Sequence, residues 1–225
     1  MIFAKNLNYA IPFGESILDD VSFELEKGQF LGVLGHNGSG KTTLLDLIMG
    51  FRGKTKGELL VLGEDPHALS RMNKKEVIFL SQDVGIKGNI SIGQFLRFQS
   101  LFYPNYSQED EKELLIKFEL DNEAKVGSLS LGQQKKLQIV FAFAARPRLI
   151  LIDEITAVLD PKARELFFHE LMLIREKYEV GIILATNIAE DLVNRADNVL
   201  FIWEKKAKIH TAKEILHLFQ IKGAS

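Results

Sequence analysis

Cysteine is absent from the 225 residues, so neither a disulfide framework nor a thiolate metal site can form. Apolar runs are short: none approaches the ~20 residues needed to span a bilayer. The opening stretch Met1-Ile-Phe-Ala-Lys-Asn-Leu-Asn-Tyr9 lacks the long apolar segment of a secretory signal. The expectation is a soluble chain whose membrane role, if it has one, comes through a partner. Charge of one sign is also missing. The 28 basic and 30 acidic residues are interspersed and give a formal charge of −2, which gives no support for a nucleic-acid partner. There is no internal repeat, low-complexity tract or Pro/Ser-rich linker.

What is present suits a single globular unit. Hydrophobic residues make up 46% of the chain, enough for a sizeable core, and the length fits one large α/β domain or a core with an inserted subdomain. Short apolar runs alternate with amphipathic stretches, the pattern of βα units around a largely parallel sheet. Residues 2–9, 21–26 and 58–62 read as strands of a small antiparallel sheet beside it. Phe30–Leu34 is a buried strand leading into a glycine-rich turn and a helix at 42–49, and 77–80 is a further strand. Between about 91 and 145 the character is helical. Ile92, Phe95, Phe98, Leu101 and Phe102 fall at helical spacing, and Ser107-Gln-Glu-Asp110 predicts a capping box opening a helix through Phe118. The parallel pattern returns with a strand at 149–152, helix Pro161–Tyr178, and strands at 181–185 and 199–203. A short amphipathic helix is expected at 211–219.

Gly35-His36-Asn37-Gly38-Ser39-Gly40-Lys41-Thr42-Thr43 matches G-x-x-x-x-G-K-[ST] in full, after an apolar strand and at the start of a helix. Glycines let successive N–H groups turn inward onto phosphate oxygens, and the helix adds its positive end. Lys41 can reach the β- and γ-phosphates, the Thr42 hydroxyl can ligate Mg²⁺, and Thr43 supports the α-phosphate. His36 is read as a solvent-facing filler. The second constellation is the apolar strand ending in Asp153-Glu154. Strands of open α/β sheets release polar residues at their C-terminal edge, where ligands bind. Asp153 is placed to hold Mg²⁺, and Glu154 to accept a proton from, or orient, an attacking water.

Leu129-Ser130-Leu131-Gly132-Gln133-Gln134, a short way upstream of the acidic strand, resembles the LSGGQ signature of ABC ATPases. Ser130 caps a helix whose N–H groups, with its hydroxyl, suit a γ-phosphate, and Gly132 allows close approach. The resemblance covers essentially the whole chain. It implies one ATPase domain with a P-loop core and antiparallel β subdomain at 1–85 and 147–225, and a helical subdomain at 86–146. It implies that Tyr9 stacks on adenine, although a tyrosine simply ending a strand is the competing reading. Gln82 resembles the glutamine that contacts Mg²⁺ and the attacking water, and Ala157-Val158-Leu159-Asp160 resembles the loop whose aspartate reaches across a dimer. In that family two copies pack head to tail, each ATP lying between one copy's phosphate loop and the other's Ser130, Gly132 and Gln133.

The chain departs from the family at three positions. Asn187 stands where a histidine usually contacts the γ-phosphate. An amide still donates a hydrogen bond but carries no charge and relays no proton, so hydrolysis is expected to be slowed rather than ATP binding lost. Leu131 replaces the first glycine of the signature, and Ile155 stands where proline often follows the glutamate. The resemblance implies a transporter ATPase with a separate integral membrane subunit and a second ATPase subunit, working at the cytoplasmic face of the membrane. The segment Phe102-Tyr103-Pro104-Asn105-Tyr106 and the end of the chain soon after the core look like the single-domain ATPases of exporters. Phe95, Phe98 and Phe102 are expected to pack within the helical subdomain, and Tyr103 and Tyr106 to form a partially exposed docking rim. The alternatives are a soluble ABC ATPase outside transport and an ATP-dependent dimerisation regulator with little turnover.

Overall fold

The computed structural model describes residues 1–81, 88–211 and 214–215. Two sheets organise it. Strands β1 (Ile2–Ala10), β2 (Ser16–Leu25) and β4 (Lys56–Val61) form an antiparallel sheet in the order β2-β1-β4. The larger sheet runs β5-β6-β7-β3-β8-β9. It is built from β3 (Phe30–Leu34), β5 (Val77–Ser81), β6 (Leu149–Asp153), β7 (Gly181–Thr186), β8 (Asn198–Trp203) and β9 (Lys206–His210). Its first five strands in that order are mutually parallel and β9 is antiparallel to β8. Strands β3, β6 and β7 are buried along their whole length, which is why they read as continuous apolar runs rather than alternations.

Helices cover both faces: α1 (Lys41–Ile48), α2 (Arg71–Lys74), α3 (Ile92–Ser100), α4 (Gln108–Lys117), α5 (Leu131–Ala144) and α6 (Pro161–Tyr178). Two cores result. One packs α3–α6 against one face of the large sheet around Phe118, Phe143 and Phe167. The other encloses α1 between that sheet and the antiparallel one, around Leu44, Leu45 and Ile48. Helix α1 and its preceding loop are thereby held from two sides.

Several local expectations need correction. Strand β2 begins at Ser16 rather than 21 because its first half pairs with the end of β1, Tyr9 opposite Leu18 and Ala10 opposite Ser16. Strand β9 was not expected. It follows a tight turn at Glu204 and Lys205, both at positive φ, the geometry of a two-residue hairpin. The cap at Ser107 is one-sided. Its hydroxyl accepts from the Asp110 N–H at 3.1 Å, but its own N–H donates to the Ala144 carbonyl and the Asp110 carboxylate is taken by Arg146 at 2.7 Å. Complete capping boxes occur instead at Ser91 with Gln94 and at Ser130 with Gln133. The packing expectation holds for Phe95 and fails for Phe98 and Phe102. Phe95 packs on the core, but Phe98 and Phe102 are 58% and 47% exposed, edge-on to each other at 5.2 Å. Tyr103 and Tyr106 are half-buried, with Phe141 at 5.0 and 6.4 Å. Gln82 and most of the helix expected at 211–219 lie outside the described residues.

Candidate functional site

The loop after β3 carries Gly35 to Gly40 and closes onto α1. Gly40 adopts φ 105°, a left-handed conformation that a side chain would strain. It lets the chain turn directly into the N-terminus of α1. Gly35 is required for a different reason: a Cβ there would meet the Ser39 hydroxyl and lie 2.8 Å from the Ile202 carbonyl oxygen. Asn37, Gly38, Gly40, Lys41, Thr42 and Thr43 line a cavity of about 250 Å³ with Ile17 and Glu154. The expected phosphate-loop residues from Asn37 onward, Ser39 excepted, and the acid after β6 are thus brought to one place.

Lys41 is buried, 4% exposed. Its ammonium donates to the carbonyls of Gly35 at 2.9 Å and His36 at 3.1 Å and stands 3.1 Å from Glu154 Oε1. An ammonium has three protons, so two of them fasten the loop and the third faces the Glu154 carboxylate. Glu154 sits at φ 51°, and its N–H donates to the Ala185 carbonyl at 3.0 Å. A left-handed non-glycine residue costs energy and persists only where its surroundings enforce it.

The neighbouring Asp153 carboxylate is buried. Its Oδ2 accepts from the Thr42 hydroxyl at 2.8 Å, while Oδ1 has no hydrogen-bond partner among the described residues. Burial pushes this carboxyl above the ordinary range, against the hydrogen bond from Thr42. An anionic oxygen left alone in the interior beside a hydroxyl is a fitting seat for a hard cation. Among the described residues no group of three or more His, Cys, Asp or Glu could hold a metal. One carboxylate and one hydroxyl, completed by phosphate oxygens and water, is the donor set Mg²⁺ takes in nucleotide sites. The Ser39 hydroxyl is likewise buried and unpartnered among the described residues.

Asn187, after β7, donates through Nδ2 to Asn37 Oδ1 at 3.1 Å, so the residue in place of the histidine is tied to the phosphate loop. Ser130, Gly132 and Gln133 lie at the start of α5 and are not among the residues lining the cavity. The Ser130 hydroxyl and the Gln133 side chain cap each other's backbone N–H, at 3.3 and 3.0 Å, and Leu131 beside them is 53% exposed. Asp160 caps α6 through the Ala163 N–H at 2.9 Å, which with Lys136 at 3.2 Å holds its carboxyl below the usual range.

Tyr9 does not offer the open face expected of it. The ring is 7% exposed, within the core beneath the antiparallel sheet. Its hydroxyl accepts from Arg52 at 3.2 Å, whose guanidinium carbon lies 5.8 Å from the ring centroid. An inward position at the end of β1 buries the side chain, as the strand-end reading had it.

A glycine-rich loop between a buried strand and a helix, closed on a lysine and backed by an aspartate at a strand end, defines a P-loop nucleotide-binding domain. The chain belongs to the ABC transporter family, whose profile matches residues 18–157. It is 30% identical over 202 residues to the ABC transporter ATP-binding protein YtrB of Bacillus subtilis (strain 168), covering 90% of this chain and 68% of that protein. Of another curated relative the chain spans 52%. The fold matches a solved ATP-binding subunit of an ABC transporter with a TM-score of 0.85 at 23% identity, covering 100% of this chain and 95% of the other. It also matches a dimeric ATP-binding cassette in a post-hydrolysis state bound to ADP and Pi, with a TM-score of 0.81 at 21% identity, covering 94% and 99%. Among the described residues no helix is long and apolar enough to cross a membrane.

One buried acid beside the site was not singled out by the sequence. Asp191, in the turn after Asn187, is buried at 1% exposure and receives hydrogen bonds from three separate elements. Its only sequence signal was an acid four residues beyond Asn187, indistinguishable there from a surface charge.

Proposed function

We propose that the chain binds Mg²⁺-ATP in this cavity and hydrolyses it as one member of a head-to-tail ATPase pair. In that pair it drives export through a separate membrane subunit, held by that subunit at the cytoplasmic face of the membrane. The observation that carries the reading is the Lys41 ammonium, held by the Gly35 and His36 carbonyls and 3.1 Å from Glu154 in the lining of the cavity. The direction of transport rests on the exporter-like segment Phe102-Tyr103-Pro104-Asn105-Tyr106. The dimeric relative in a post-hydrolysis state supports the pairing.

Thr42 and Asp153 would hold the Mg²⁺, with Gln82 as a further ligand. The ion neutralises phosphate charge when bound. Lys41 transfers its third N–H from Glu154 to a phosphate oxygen. That frees the Glu154 carboxylate to accept a proton from water as the water attacks. Asn187 exchanges its contact with Asn37 for the γ-phosphate and donates one neutral hydrogen bond there, which makes hydrolysis slow. Ser130, Gly132 and Gln133, at the start of α5, supply the facing half of the partner's site, and Asp160 reaches across the pair. Because Asn187 is already satisfied by Asn37, a second reading is a dimerisation regulator that binds ATP with little turnover.

Steady-state ATP hydrolysis across a protein concentration series, with Glu154→Gln as the blank, separates the two. Turnover that rises more than linearly with protein and disappears in the blank is the expected result. ATP binding without turnover sinks the hydrolase reading and leaves the regulator.

A further inference from the structure

We propose that Asp191 is a positioning residue for hydrolysis, a single buried carboxylate that sets the loops of Glu154 and Asn187 relative to each other. The inference rests on the reading of this site as an ATPase. Oδ2 accepts the Thr156 hydroxyl at 2.8 Å and the Thr186 hydroxyl at 3.4 Å. Thr156 lies two residues after Glu154, in the 3₁₀ turn Ile155–Val158, and Thr186 immediately precedes Asn187. Both threonines are 1% exposed. Oδ1 accepts from Arg164 on α6 at 2.5 and 3.0 Å. The carboxylate therefore joins the turn after β6, the end of β7 and the start of α6.

The rest of the neighbourhood reinforces this junction. The Glu154 N–H donates to the Ala185 carbonyl at 3.0 Å, one residue before Thr186, and the Thr186 hydroxyl accepts the Ile188 N–H at 3.0 Å. Asp191 itself is clamped, because its neighbour Leu192 is fully buried against Gly32 of β3, where a Cβ would lie 2.6 Å from Leu192 Cδ1. A buried charge is costly, and apolar residues of similar volume often serve stability as well or better. What apolar packing cannot do is fix the direction of two hydroxyl-bearing loops at once. The strained φ of Glu154 needs such external restraint. A misplacement of about 1 Å at a catalytic group can cost on the order of a hundredfold in rate.

The test compares Asp191→Asn, Thr156→Val and Thr156→Ser with wild type. ATP affinity, turnover at saturating Mg²⁺-ATP and hydrogen–deuterium exchange are read for each. In Asp191→Asn and Thr156→Val, turnover is expected to fall about tenfold or more, while the ATP dissociation constant stays within about twofold. Thr156→Ser keeps the hydroxyl and restores most of what Thr156→Val loses. Exchange accelerates together in peptides 153–160 and 185–192 and not in 35–43. A parallel fall of affinity and turnover, wild-type turnover in Asp191→Asn, or acceleration in one loop alone overturns the proposal. If wild type binds ATP without turning it over, the hydrolase reading fails, and the exchange pattern still decides whether Asp191 couples the two loops.

Discussion

Asn187 stands where the resemblance to ABC ATPases implies a histidine. An amide neither titrates nor relays a proton, so turnover should carry no inflection between about pH 6 and 7, where a histidine would introduce one. Asn187→His is expected to raise turnover about tenfold and to add that inflection, measured as turnover against pH at saturating ATP. Unchanged turnover would mean that the Asn37 contact does not compete with catalysis. Lys41 has the opposite standing, since its three donors are committed and its charge faces Glu154. Lys41→Ala should weaken ATP binding by about tenfold or more, read by titration. The same change also removes the ties that close the loop on Gly35 and His36, so any wild-type-like affinity would count heavily against the phosphate-site reading.

Among the elements, α4 shows how one helix is fastened to its neighbours α5 and α6. Its N-terminus is bound to the end of α5 by the Ser107 N–H with the Ala144 carbonyl and by Arg146 with Asp110 and Ser107. Tyr178, at the end of α6, adds a hydrogen bond to Asp110 at 3.2 Å. Burial acts to raise the Asp110 carboxyl, but the hydrogen bond and charge of Arg146 outweigh it and the net direction is downward. A carboxyl depressed in the folded state adds stability above its unfolded value, near 3.9, and loses it as pH falls through the folded one. Asp110→Asn is therefore expected to cost about 1 kcal/mol at neutral pH, with the difference from wild type shrinking below about pH 4. Denaturant melts at several pH values check this. A constant difference would show that the pair acts through shape rather than charge.

At the scale of the whole molecule, one group of exposed apolar side chains is a candidate docking surface. Phe98, Leu101 and Phe102 stand together at the end of α3 and just beyond it, 58%, 76% and 47% exposed. Contiguous apolar surface of this kind marks an interaction site more often than scattered single residues do. Joint replacement of Phe98 and Phe102 by Ser should leave the melting transition within about 0.5 kcal/mol of wild type and reduce co-purification with a membrane subunit. Retained co-purification would move the docking surface elsewhere.

Periodicity, glycine spacing and apolar run length determined the parallel sheet, the P-loop, the acidic pair and the order of motifs along the chain. Those signals are local: a glycine-rich turn between a buried strand and a helix is written in consecutive residues. Tertiary structure decided what depends on neighbours distant in sequence. The inward turn of Tyr9 follows from the pairing of β1 between β2 and β4. The half-buried position of Tyr103 depends on where Phe141 of α5 lies. The failed box at Ser107 depends on Ala144 and Arg146, and the junction at Asp191 on donors 5, 27 and 35 residues away in the chain. A hydrogen-bonding side chain shows its type in the sequence, but its partner is chosen only when the sheet brings separate strand ends side by side.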